Sequence, residues 1–476
     1  MSLKKKTIRN LQFVGIAQLL SLGLVQLGYL FLARTLLPED FGLYAAVIVV
    51  FNLAITVSML GLDQAAIQSK DDSEELLRTA STFRMAMALL AIAVILIVAP
   101  AIASFYDKPE MTNPLRMMMI AVFISSAGFV STVRLSKALR FRELSISRVG
   151  NALSWPVVAI AAAVIGLSYW SMIVATLFSS TVALAILWAY APWKIGFNID
   201  RAVLRKLLHF GKFPVATTLV VFLFFNMDKV VVGRLLGAEI LGSYFLAFSI
   251  GTVAPTILTN VVNNVMFPTY ARIAEDRQLL KESYRKTLIS IAYVSIPIGI
   301  GLAAISSTLV KSILGPQWAE AEAPLAIFSF VGIASSLTSP AGSLFLAMGK
   351  PEIAWRITAI LSLPYIVLLV PAALFLGIVG VSMLMLVQTT MSLIWVLIVA
   401  SRLTDIRSGA VIRDLLRPTA AAATMGICIF ALSIVLAPTI PSLMGLIVIG
   451  ILLYAVAAHF ASKGTIIREM IEMIRP

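Results

Sequence analysis

Asp228 and Lys229 stand in an otherwise apolar stretch, Phe222-Leu-Phe-Phe-Asn-Met-Asp-Lys-Val-Val-Val, with Asn226 just before them. A charge near the centre of a membrane helix costs about 2.5–3.5 kcal/mol even on the lenient insertion scale, so such residues face a bundle interior or water. There a carboxylate can exchange a proton or hold a cation, and an ammonium can hold an anion. Helix neighbours point about 100° apart, so these two need not neutralise each other, and one is open to pair with Arg34, Arg84 or Asp63 across a cavity. Arg34, Arg84 and Arg234 sit at or near the ends of other apolar stretches, as does Asp63. Gln26, Asn52, Asn226 and Asn263 supply amides that suit hydroxylated cargo. This set does the chemistry of binding and ion coupling, not of bond making. No catalytic residue is assigned. No Gly-Lys-Ser/Thr phosphate loop occurs, which argues against ATP hydrolysis. Cys428 is the only cysteine, and His209 and His459 are isolated, so neither a metal nor another cofactor is expected.

The elements that must position these residues follow from composition. Of 476 residues 60% are apolar and 13% charged, far too little polar surface for a soluble core of this size. Apolar runs of about 20 residues, long enough to cross a ~30 Å hydrocarbon layer, recur from end to end. The fold class is an all-α integral membrane protein of about fourteen transmembrane helices, with expected spans that include 41–63, 82–105, 114–136, 213–233 as helix seven, 354–376 and 378–400. The run Leu11 to Leu32 follows a basic N-terminus, but it is too long for a signal core and lacks a small-residue cleavage site, so it reads as an uncleaved first span. With the N-terminus in the cytoplasm, nearly all of the 37 Lys and Arg fall in cytoplasmic segments. Only Arg34, Lys108, Arg116, Lys229, Arg234 and Lys311 lie elsewhere. That skew places both termini inside and explains the net charge of +14 without nucleic acid.

Arg34, Leu36, Glu39, Gly42 and Tyr44 recur without a gap as Arg234, Leu236, Glu239, Gly242 and Tyr244. Average composition predicts roughly one chance identity in such a window, so the chain reads as two copies of one unit. An even number of spans per copy keeps both in the same orientation. Helices 1–6 and 7–12 then form two parallel six-helix lobes around a central cavity, with two further helices appended. The boundaries are 1–190 for the first lobe, 191–212 for a cytoplasmic amphipathic linker, 213–402 for the second lobe, and 403–476 for helices 13 and 14 with a cytoplasmic tail. In this register Asn52, Thr56, Met59 and Asp63 share one helical face, and Thr252, Thr256, Thr259 and Asn263 share its copy. Gly28 and Tyr29 stand opposite Asp228 and Lys229, the place where the halves differ most. The repeated Arg and Glu also have a plain structural reading: a cation closing one helix and an anion opening the next. Gly42 reads as a site of close helix packing, while Pro156, Pro255, Pro297, Pro340 and Pro364 supply kinks.

Residues 31–45 (FLARTLLPEDFGLYA), 61–68 (GLDQAAIQ) and 226–244 (NMDKVVVGRLLGAEILGSY) resemble the Wzx-type flippases of bacterial polysaccharide synthesis. These belong to the polysaccharide transporters of the multidrug/oligosaccharidyl-lipid/polysaccharide exporter superfamily. The resemblance implies a multi-pass protein of the bacterial inner membrane. It implies as partner a polyprenyl-diphosphate-linked oligosaccharide, moved from the cytoplasmic to the periplasmic leaflet for exopolysaccharide, capsule or O-antigen synthesis. Membrane lipids, a polysaccharide polymerase and export machinery are the other implied partners. Lys229, Arg34, Arg234 and Arg84 would then meet the diphosphate, and Gln26, Asn52, Asn226 and Asn263 the sugars. Asp228 and Asp63 are the candidates for ion coupling. The rival within the superfamily is a drug/cation antiporter, which needs mostly acidic cavity residues. A rival of another class, a polytopic sugar polymerase or ligase, needs more far-side surface than these short loops provide.

Overall fold

The computed structural model describes residues 3–59, 62–69, 73–193, 200, 222, 226–253, 266–267, 269–406 and 408–461. Among them every regular element is helical. Among the described residues eleven segments are long and apolar enough to cross a membrane, and the chain is a multi-pass membrane protein. It divides into two compact units, Met1–Phe245 and Leu246–Pro476. The predicted amphipathic linker, most of predicted helix seven, and Thr256, Thr259 and Asn263 lie outside the described residues.

In the first unit α1 (Leu3–Thr35) packs on α7 (Phe141–Val164), and α7 packs on α8 (Trp170–Tyr190). Helix α2 (Pro38–Met59) lies against α4 (Glu74–Phe105) and α5 (Thr112–Ala127). Pro38 opens α2 with Glu39 and Asp40 in its first turn, where free amides favour anions. Asp40 accepts from Leu37 N at 2.9 Å, and also from the Ser168 hydroxyl and Tyr169 N. One carboxylate thus caps α2 and ties down the turn before α8.

Several boundaries depart from the sequence expectation. Asp63 lies on α3 (Leu62–Gln68). Helix α4 starts at Glu74 rather than near 82, because Ser73 Oγ accepts from Leu76 N at 3.2 Å and Glu74 and Glu75 occupy the first turn. The span expected over 114–136 is two helices meeting at Gly128, α5 and α6 (Phe129–Lys137). Residues 226–236 form α9, and Gly237, at φ +91°, turns the chain into α10 (Ala238–Gly251).

The second unit holds α11 (Arg277–Ala304), α12 (Glu322–Ala347), α13 (Pro351–Leu403), α14 (Ser408–Val435) and α15 (Ile440–Ala461). Tyr284, Leu288, Ile291, Ala341 and Phe345 centre its core. Polar bonds fasten its edges: Arg285 Nε to Asp414 Oδ2 at 2.6 Å, Lys281 Nζ to Asp405 O at 2.8 Å, and Tyr454 Oη to Tyr293 O at 2.9 Å. Helix α13 is far too long for one crossing. Its backbone leaves helical geometry at Gly377 (φ 59°, ψ −151°), the position between the expected helices 354–376 and 378–400. That region of backbone space is essentially closed to residues with a Cβ, at a cost of about 1–3 kcal/mol. Gly377→Ala is expected to lower the thermal unfolding midpoint of the purified protein. An unchanged midpoint would show that the break is not fixed by this residue.

Candidate functional site

Asp228 and Lys229 on α9 are 1% and 7% exposed. Lys229 Nζ lies 3.3 Å from both carboxylate oxygens of Asp228, and Tyr244 Oη on α10 donates to Asp228 Oδ2 at 2.8 Å. The Gly237 turn makes this possible by folding α10 back so that Tyr244 meets a residue 16 positions earlier. The expected freedom of the two charges to pair elsewhere is corrected here. A helix sets the directions of the Cβ atoms, but the four-carbon lysine stem curls far enough to reach the adjacent carboxylate. A buried pair of this kind holds only while its remaining lone pairs and protons are satisfied, which is what the Tyr244 hydroxyl does for Asp228. The centre is neutral as a whole and contains one acid, one base and one hydroxyl within hydrogen-bond reach.

The corresponding positions of the first copy are built differently. Gly28 lets α7 approach: a Cβ there would lie 2.7 Å from Pro156 Cβ. Tyr29, the counterpart of Lys229, meets Trp155 edge-on at 5.0 Å and Phe245 at 5.7 Å between ring centroids. Trp155 Nε1 donates to Thr176 Oγ1 at 3.0 Å, and the Tyr44 hydroxyl lies 3.4 Å from the same oxygen. Tyr44 and Tyr244 are thus equivalent in sequence but serve an indole–hydroxyl cluster in one copy and a charge pair in the other.

The helices that open with the repeat touch backbone to backbone. A methyl on Gly42 would overlap the carbonyl oxygen of Ala238, and one on Gly242 would overlap that of Pro38. Pro38 and Ala238 are themselves repeat equivalents, so the contact is reciprocal, the pattern of a local two-fold relation. Gly42→Leu is expected to push the starts of α2 and α10 apart. Spin labels at the exposed Leu37 and Glu239, with Cys428 replaced, should report a longer distance than in the parent. An unchanged distance would exclude the glycine contact as the spacer.

The other predicted residues divide into pairs and outliers. Arg84, 3% exposed, pairs through Nη1 with Asp63 Oδ1, and its guanidinium lies 5.0 Å over the Phe129 ring. Both line a cavity of about 230 Å³ that also meets Met59, Asn151 and Ser180. Arg234 is exposed, pairs with Asp107, and lies 5.5 Å from the Phe105 ring centroid. Arg34 is exposed at the end of α1. Gln26 is half-buried on α1, Asn52 is exposed on α2, and Asn226 Nδ2 donates to Phe222 O at 2.8 Å. Lys229, Arg84 and Arg234 therefore each hold a carboxylate. Sequence reasoning missed Asp107 as a partner, the aromatic wall of Tyr29 and Trp155, and the role of Tyr244. Of these only Tyr244 carried a signal, its recurrence after Tyr44.

The family described as polysaccharide biosynthesis protein matches residues 31–323, a span that includes every residue of the buried centre. The chain is 25% identical over 390 residues to the lipopolysaccharide biosynthesis protein WzxC of Escherichia coli strain K12, covering 80% of this chain and 78% of that one. It is 25% identical over 321 residues to the succinoglycan biosynthesis transport protein ExoT of Rhizobium meliloti strain 1021, covering 67% and 64%. The solved structure of the lipid II flippase MurJ in an inward closed conformation shares the fold, with a TM-score of 0.79, 14% identity, and coverage of 95% of this chain and 99% of that chain.

Proposed function

The chain belongs to the polysaccharide biosynthesis protein family, and from that premise we propose that it is a flippase for a polyprenyl-diphosphate-linked oligosaccharide. It carries the saccharide from the cytoplasmic to the periplasmic leaflet of the bacterial inner membrane by alternating access, in exopolysaccharide, capsule or O-antigen synthesis. Relatives named for lipopolysaccharide biosynthesis and succinoglycan transport support this reading, as does a fold shared with a lipid II flippase. The skew of Lys and Arg supports about fourteen spans with both termini cytoplasmic. The repeat supports lobes at 1–190 and 213–402 joined by the linker 191–212, with 403–476 appended. A polymerase and export machinery receiving the cargo belong to the same reading.

The observation that carries the mechanism is the buried Asp228–Lys229–Tyr244 centre. At rest the ion pair cancels its own charge in hydrocarbon. A diphosphate entering beside it competes for the ammonium, and Lys229 exchanges Asp228 for phosphate oxygens. Asp228 keeps the Tyr244 hydrogen bond and, stripped of its cation, becomes the group that takes up a proton or a cation. The exchange couples cargo binding to ion binding without leaving a bare charge. Arg34 and Arg234, at the ends of α1 and α9, extend the set of cations. Gln26, Asn52, Asn226 and Asn263 serve sugar hydroxyls, and the polyprenyl tail stays in lipid. A drug/cation antiporter is disfavoured because the cations equal or exceed the acids among these positions.

The test is reconstitution in liposomes with a labelled polyprenyl-diphosphate saccharide, scoring its transfer between leaflets. Lys229→Met strands a buried carboxylate, so it should lose about 3–5 kcal/mol of stability along with transport. The double variant Asp228→Asn/Lys229→Met should recover much of that stability while transport stays at least about tenfold below the parent. A double variant that transports like the parent would make the pair structural. Gradient-driven export of a cationic dye without lipid transfer, or glycosidic-bond formation by the purified protein, would overturn the flippase reading itself.

A further inference from the structure

The cavity beside Arg84 is built entirely within the first unit and is separate from the Asp228 centre. Its floor carries an ion pair, so its charge is already cancelled: Asp63 gives a cation little to gain and Arg84 gives an anion little to gain. What remains is mixed hydrogen-bonding capacity. Arg84 Nε, fully buried, has no hydrogen-bond partner. The side chains of Ser125, Asn151 and Ser180 also line the cavity and make no hydrogen bond to any described residue. Asp63 is 31% exposed at its side chain, which leaves its outer oxygen open to accept.

Unsatisfied polar groups on membrane helices are costly unless something completes them. These come from α3, α4, α5, α7 and α8 and converge on one space. A volume of 230 Å³ corresponds to roughly seven waters at about 30 Å³ each, the room that one pyranose ring requires. Sugar hydroxyls donate and accept at once, matching a set in which Asn151, Ser125 and Ser180 do both while Asp63 only accepts and Arg84 only donates. The apolar part of the wall, Met59, Ile124, Phe129, Ala183, Leu184 and Leu187, suits the C–H faces of such a ring.

We propose that this cavity is a sugar pocket, holding one neutral ring of the cargo while the diphosphate is bound elsewhere. The inference rests on the flippase reading for the identity of the cargo, but the pocket is tested independently of transport. The purified full chain in nanodiscs is titrated with methyl glycosides of glucose, galactose, mannose and N-acetylglucosamine, followed by saturation-transfer NMR. At least one glycoside should bind. Ser180→Leu, which fills the space, and Asn151→Ala, which empties it, should each weaken binding by about tenfold with the unfolding midpoint retained. In the transport assay the same variants should raise KM for lipid-linked saccharide more than they lower kcat. Competition by the lipid-linked saccharide against the methyl glycoside identifies the ring as part of the cargo; absence of competition overturns that assignment. Should no glycoside bind a parent protein that transports, or should both variants bind as the parent does, the pocket is wrong and the flippase reading stands. Glycoside binding by a parent that transfers no lipid-linked saccharide would support a sugar site and sink the flippase reading.

Discussion

A charge inside hydrocarbon has to be cancelled by a neighbour in its own bundle, and this constraint organises the first unit. Two acid–base pairs have deeply buried cations: Asp228–Lys229, with both side chains buried, and Asp63–Arg84, with the guanidinium enclosed and the carboxylate partly open. Two more sit at helix ends, Arg234–Asp107 and Lys108–Glu39. The hydrogen bond to Glu39 holds the Lys108 ammonium pKa above its usual value, as expected of a cation that has gained a close carboxylate. The difference between the two buried pairs lies in their surplus hydrogen-bonding capacity. Tyr244 takes up that of Asp228, whereas Arg84 keeps a donor unused.

Both stretches of the repeat carry the glycine at which α2 and α10 meet backbone to backbone, and both carry the tyrosine two residues further on. Gly28 and Tyr29 pack against Pro156 and Trp155, whereas the residues at the equivalent positions are an acid and a base. A second acid and base at positions 28 and 29 would add a further desolvation cost in the bilayer.

Much of this was legible in the sequence. Apolar length and composition gave an all-helical membrane protein, and the repeat singled out Asp228 and Lys229 as the point of asymmetry. The expected spans 354–376 and 378–400 left one residue between them, and the backbone departs from helical geometry at that residue, Gly377. The break at Gly128 escaped, since apolar composition continues through it. Side-chain pairing escaped for another reason. The partner of Arg234 lies 127 positions away, and the reach of Lys229 to its neighbour depends on torsions that helical periodicity does not specify. Tyr244 was visible as a repeated residue, but its hydrogen bond arises from the Gly237 turn, a tertiary event.

Ion pairs in a membrane transporter are usually weighed as either structure or mechanism, and the present arrangement makes that opposition unnecessary. A buried pair that is hydrogen-bonded on its free side holds its charges in lipid, and the proposed function draws on the same bonds. In that proposal a phosphate oxygen that takes the place of the Asp228 carboxylate on Lys229 leaves the ammonium neutralised, and the displaced carboxylate, held by the Tyr244 hydroxyl, takes up the proton or cation that restores neutrality.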